Sequence, residues 1–196
     1  MISTLSRKHS FDSVFDSQRV FRLVLEAMSN PARIVHIKEH ADKLRGDYPA
    51  LLAVAVTLMD NEVSFNACEN HPLSEEIASL TLAREEQAEL ADFIFVSDTN
   101  DINAIENAKC GTLSDPHKSA TVIIRNDDGP SCRMTLYGPG IDGQKEIHAT
   151  QTVKDALALR DAQNYEYPQG IDLLFISGEG ELFAIPRLVG LVKKVK

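Results

Sequence analysis

The sequence is short of the features that announce most chemistries. Its three cysteines, Cys68, Cys110 and Cys132, are odd in number and form no C-x-x-C pair, so neither the usual structural zinc spacing nor a thiolate cluster for iron–sulfur chemistry is present. They read as reduced, buried thiols. Basic residues are in deficit: 20 Lys and Arg stand against 29 Asp and Glu, a net charge of −9. A sequence-independent nucleic-acid surface needs the opposite balance. The longest apolar stretch, Leu51 to Met59, is interrupted by Thr57 and too short for a bilayer, and Met1 to Ser10 holds no signal-peptide core. The expected location is therefore the cytoplasm, with no membrane partner. There is no G-x-S-x-G, no G-x-x-x-x-G-K-[ST] and no G-x-G-x-x-G, so a serine hydrolase or a phosphate-loop enzyme has no starting point. No internal repeat or low-complexity linker divides the chain, and 196 residues at 43% hydrophobic predict one domain over 1–196.

What is present is an alternation of helical and extended patterns. Phe15, Val20, Phe21, Val24 and Met28 recur with helical spacing and predict a helix over about 16–29, stopped at Asn30-Pro31. Arg33 to Ile37 reads as a short strand, and Tyr48-Pro49 opens a helix that is apolar around most of its circumference through Met59. Val63 to Ala67 alternates as a strand, Pro72 begins another helix, and Phe93-Ile94-Phe95-Val96 is apolar on both faces, as a strand covered on each side must be. A short helix is expected over 98–108. Ala120 to Ile124 and Met134 to Tyr137 are expected to pair as a hairpin across Asp127-Asp128-Gly129-Pro130. Thr152-Val153-Lys154-Asp155 resembles a capping box opening a helix to about Ala162, and Leu173 to Ile176 and Leu182 to Ile185 flank Gly178-Glu179-Gly180 as a second hairpin. The expected fold is α/β, a mixed sheet with helices on both faces.

Three Gly/Pro turns punctuate the last third: Gly138-Pro139-Gly140, Tyr167-Pro168-Gln169-Gly170 and Pro186-Arg187. Glycine reaches positive φ and proline fixes φ near −65°, so such turns pin the backbone where something approaches closely. Gly138 and Gly140 fit either a purely conformational turn or an anion-binding nest. Asp142 and Asp172 each end a Gly-Ile-Asp tripeptide and are candidate paired carboxylates or ordinary turn caps. Arg187 is either half of an internal salt bridge or a fork for phosphate or carboxylate. Gly138, Gly140, Asp142, Asp172 and Arg187 are thus the candidate ligand-binding residues, with no catalytic residue assigned and no metal. His36 and His40 are four apart, but the β-branched residues around His36 make the segment extended, so the pair reads as two surface or turn histidines rather than metal ligands.

The order of several motifs resembles one known family. Phe21-Arg22, Glu26 to Pro31, Thr57-Leu58-Met59-Asp60, Gly111-Thr112, Leu136-Tyr137-Gly138-Pro139-Gly140-Ile141, Pro168-Gln169-Gly170-Ile171-Asp172-Leu173 and Pro186-Arg187 resemble the PhnH family, a subunit of the bacterial carbon–phosphorus lyase system. One departure is Asn30-Pro31-Ala32, where that family usually has Arg-Pro-Gly. The resemblance implies a three-layer αβα sandwich similar to the large domain of fold-type I pyridoxal-phosphate transferases, without the cofactor; Lys118 and Lys145, the nearest aldimine candidates, lie in polar turns. It implies a homodimer, and partnership with PhnG, PhnI and PhnJ in a core complex. With a further subunit, that complex joins an alkylphosphonate to the ribose of ATP with release of adenine, while radical cleavage belongs to PhnJ. Two roles stay open: an assembly subunit without catalysis of its own, or a subunit whose Gly/Pro/Asp/Arg pocket binds a phosphonate or nucleotide.

Overall fold

The computed structural model describes residues 9–192. At its centre lies a seven-stranded mixed sheet. Its parallel part comprises β2 (Ser64–Asn66), β3 (Arg84–Glu85), β4 (Phe93–Val96), β5 (Thr121–Arg125) and β8 (Asp172–Ile176). Two antiparallel strands, β9 (Glu181–Ile185) and β1 (Val35–His36), extend it beyond β8.

Alternation along the central strands builds the two cores. Phe95, Ile123, Leu174 and Ile176 point to one face, where they meet α1 (Phe15–Ser29), α3 (Pro49–Leu58) and α4 (His71–Thr81). Ile94, Val96, Val122, Ile124, Leu173 and Phe175 point to the other, where α5 (Gln151–Ala162) and the 3-10 helix Thr99–Asn107 cover them. Strands apolar on both faces must be interior to a layered fold. The second outer layer is only partly helical, because a small sheet of β6 (Cys132–Tyr137), β7 (Lys145–Ala149) and β10 (Gly190–Leu191) shares it.

Four sequence expectations change here. The β5–β6 hairpin does not form: β5 lies between β4 and β8, and β6 pairs with β7 and β10. Val122, Ile123 and Ile124 are all fully buried, so β5 needs a central position. The aspartates after it bind other groups: Asp127 accepts from the Gly178 N–H (2.6 Å) and pairs with Arg125 (2.5 Å), while Asp128 accepts from Thr152 Oγ1 (2.6 Å). Thr150, not Thr152, caps α5, its Oγ1 accepting the Val153 N–H at 3.1 Å. The cysteines are free but only partly buried. His40 is no surface residue; it lies within α2 (Lys38–Ala41), 7% exposed. The β8–β9 hairpin is as expected, although β1 covers its outer strand.

Candidate functional site

The three Gly/Pro turns converge on the segment 186–189, beside the amino end of β8. A Cβ on Gly138 would stand 2.7 Å from the Leu188 carbonyl, and one on Gly170 would stand 3.0 Å from Arg187 Cβ. Both glycines have φ in the left-handed half of the map, at +136° and +142°, so the turns serve close approach of backbone to backbone. Asp172, 6% exposed, accepts from the Arg187 backbone N–H at 2.8 Å and from Arg187 Nε at 3.1 Å, and its Oδ2 also pairs with Arg187 Nη2. Arg187 Nη1 donates to the Pro116 carbonyl. The guanidinium is therefore engaged on each of its nitrogens.

A second arginine, which the sequence patterns did not single out, completes the strap. Arg160 on α5 is 1% exposed; its Nη2 donates to Val189 O at 2.8 Å and its Nη1 to Pro186 O at 3.3 Å. The signal was weak because Arg160 sits in the last turn of a helix, where a cation is ordinary. Arg160 thus holds the carbonyls of the segment 186–189 from α5, while Arg187 within it ties the segment to Asp172 and the Pro116 carbonyl.

Of the five candidate residues, the structure brings Asp172 and Arg187 into direct contact and places Gly138 against the next residue, Leu188. Gly140 lies elsewhere: its Cβ position is 2.7 Å from both Ser29 O and Pro31 Cδ, and Lys145 Nζ donates to the Pro31 carbonyl at 2.8 Å. Asp142 is exposed, and its side chain joins none of the others. None of the five lines any of the three cavities described next.

In open α/β sheets ligands bind outside the carboxyl ends of the strands, and two clefts lie there, one on each face of the sheet. Asn126 and Ser177, the residues following β5 and β8, open the first, of about 230 Å3, toward the start of α5. Its lining includes Ile34, Ile147, Phe183 and Val153, with Asp128 and Glu181 as the acidic members and no Lys or Arg. The second, of about 220 Å3, runs from Ser177 and Gly178 to the start of α3 and contains Arg125. That cation is paired with Asp127 and lies 5.5 Å from the Tyr48 ring centroid. A third hollow, of about 640 Å3, is open to solvent beside Tyr137, Gln144 and Leu191 and carries no charged residue.

Titratable groups elsewhere are tied down. Asp16 Oδ1 is 2.8 Å from His40 Nδ1 and 2.6 Å from Lys43 Nζ. Burial pushes its carboxyl upward, but the Lys43 and His40 hydrogen bonds and the Asp12 N–H outweigh this and hold the pKa at about 2. At the carboxyl end of β2, burial together with Asp101 and Glu69 raises the Cys68 thiol to about 12, far from a nucleophile's range. Among the described residues no group of three or more His, Cys, Asp or Glu could hold a metal ion, and none of the helices is long and apolar enough to cross a membrane.

Comparison with known proteins agrees with the order of motifs. The chain is 30% identical over 173 residues, 87% of its length and 83% of the relative's, to a protein of Stutzerimonas stutzeri named "Putative C-P lyase subunit protein HtxG". The family described as "Bacterial phosphonate metabolism protein (PhnH)" matches residues 9–191, which spans every element of the fold, so the chain belongs to the PhnH family.

Proposed function

We propose that this chain is an assembly subunit of a carbon–phosphorus lyase system, working as one domain in the cytoplasm and supporting the transfer of alkylphosphonate to the ribose of ATP with release of adenine, without catalysing a step alone. Family membership and the name borne by the relative support the system. The assembly role is carried by one observation: Arg187, the candidate oxyanion fork, spends its donors on Asp172 and the Pro116 carbonyl. The clefts at the carboxyl edge support the same reading, since about 230 Å3 and about 220 Å3 fall below the roughly 300–1,000 Å3 of small-molecule sites.

The partners in this reading are PhnG, PhnI and PhnJ and a second copy of the chain. Val14, Phe21 and Leu25, at 67%, 50% and 54% exposure, form an apolar stripe along one side of α1 that supports association. A fold like the large domain of fold-type I pyridoxal-phosphate transferases belongs to the same proposal. Of the two aldimine candidates, Lys118 is 65% exposed beside Asp115, far from the desolvated setting such chemistry needs, and Lys145 donates to the Pro31 carbonyl.

The test is co-expression with and without PhnG, PhnI and PhnJ. Co-elution in fixed ratio is expected, and once the further subunit is added, adenine release from ATP and an alkylphosphonate should depend on the presence of this chain. The chain alone is expected to bind neither ligand by calorimetry. Saturable binding to the isolated chain, lost in Arg187→Lys without a change in melting, would revive the pocket alternative.

A further inference from the structure

Ile147, His148 and Ala149 are consecutive residues of β7, and all three line the 230 Å3 cleft. Side chains along a strand alternate between the faces of its sheet. A cavity confined to one face would meet every second residue, so this one runs along the edge of the strand. That edge is open: β7 pairs with β6 on one side and with no strand on the other among the described residues. Ala32, in the turn after α1, and Ile34, just ahead of β1, line the same groove, and Phe183 of β9 adds an aromatic surface. Ile34 is 53% exposed.

We propose that β7 accepts an extended peptide segment of a partner protein as an added strand, with an apolar side chain anchored against Ile34, Ile147 and Phe183 and a basic side chain reaching Asp128 and Glu181. The inference rests on the assembly reading and names the surface it uses. An exposed strand edge offers main-chain donors and acceptors that an extended peptide matches, while pockets for alternate side chains give specificity. The charge is complementary to a basic segment: Asp128 and Glu181 have no cationic partner among the described residues, and His148 is the one lining residue that can become a cation. A second copy fits less well, because it would bring another chain of net charge −9 to an acidic groove.

The probe is a fluorescent octapeptide of alternating Val and Lys, acetylated and amidated, titrated into the full-length chain. Two further versions carry N-methyl groups on every second amide, one for each register. Saturable binding is expected, weakened about tenfold or more when the register facing β7 is methylated, since several hydrogen bonds are lost together. Amide exchange at residues 145–149 should slow, and Ile34→Lys should weaken binding about tenfold while leaving the melting temperature unchanged. Binding indifferent to both methylated peptides, no saturable binding, or protection elsewhere would overturn the proposal. So would a dimer by light scattering that protects 145–149 without peptide, which assigns the edge to a second copy. In the co-expressed complex, protection of 145–149 is expected as well. A complex that forms with this strand unprotected refutes the inference and leaves the assembly role standing, whereas failure to co-elute refutes that role and leaves the peptide titration to decide this one.

Discussion

Replacing Arg187 by alanine separates a structural strap from a ligand fork. Asp172 would keep the N–H of residue 187 at 2.8 Å but lose Nε at 3.1 Å and its Nη2 contact, leaving a carboxylate with a side chain 9% exposed and no cation. Removing one partner of a buried pair costs about 3–5 kcal/mol. The Arg187 side chain is 20% exposed, so solvent screening favours the lower end, about 3 kcal/mol. For a chain of this size that lowers Tm by roughly 6–12 °C. Arg187→Lys should fall between, because one ammonium cannot meet Asp172 and the Pro116 carbonyl together. The double variant Asp172→Asn, Arg187→Met removes both charges and should cost less than the two single changes combined, a coupling that calorimetric melting measures directly. A melting curve for Arg187→Ala that overlays the parent would refute the strap.

The other predictions concern backbone fit and pH. Asp16 is held at about 2, below the ordinary carboxylate range, so its contribution is complete above that range and is lost as pH falls toward 2; Asp16→Asn should lower stability at neutral pH and flatten the acid limb of a urea-unfolding series. Ala32 has φ of +57°, so Ala32→Gly should raise stability by up to about 1 kcal/mol, or roughly 2–4 °C in Tm. Gly140→Ala should do the reverse by more than about 1 kcal/mol, since φ is +82° and the new Cβ would press on Ser29 O and Pro31. Alkylation of Cys68, with its thiol pushed up to about 12, should be far slower in the folded chain than after unfolding.

Periodicity made most of the core legible. The β4 run Phe93 to Val96 and the helix Pro49 to Leu58 are apolar around their circumference, and both are interior. Hairpin signals were less reliable. Asp-Asp-Gly-Pro after β5 has turn chemistry in either topology, and what decides is that β5 buries both faces and takes partners from β4 and β8, far away in sequence. β7 carries a weak strand signal although Ile147 and Ala149 alternate with polar residues, because Lys145-Glu146 and His148 give the stretch the composition of a loop. At the candidate site, the pairing of Asp172 with Arg187 followed one of the two roles read from their residue types. Arg160 and the Asp16–His40–Lys43 cluster did not, since burial of a charge is set by elements that no local pattern brings together.

The same physics explains why the motifs and the proposed docking edge lie apart. A glycine at positive φ with a carbonyl 2.7 Å from its Cβ position, as at Gly138 and Gly140, admits almost no other residue, and an arginine engaged on each nitrogen is equally constrained. Such positions stand out even in a single sequence. A groove formed by Ile34, Ile147 and Phe183 asks only for apolar side chains of similar volume, and a strand edge presents backbone that every residue possesses. The Gly/Pro turns therefore mark where this chain grips itself, and the surface through which it would grip a partner emerges only once β7 is seen to end its sheet unpaired.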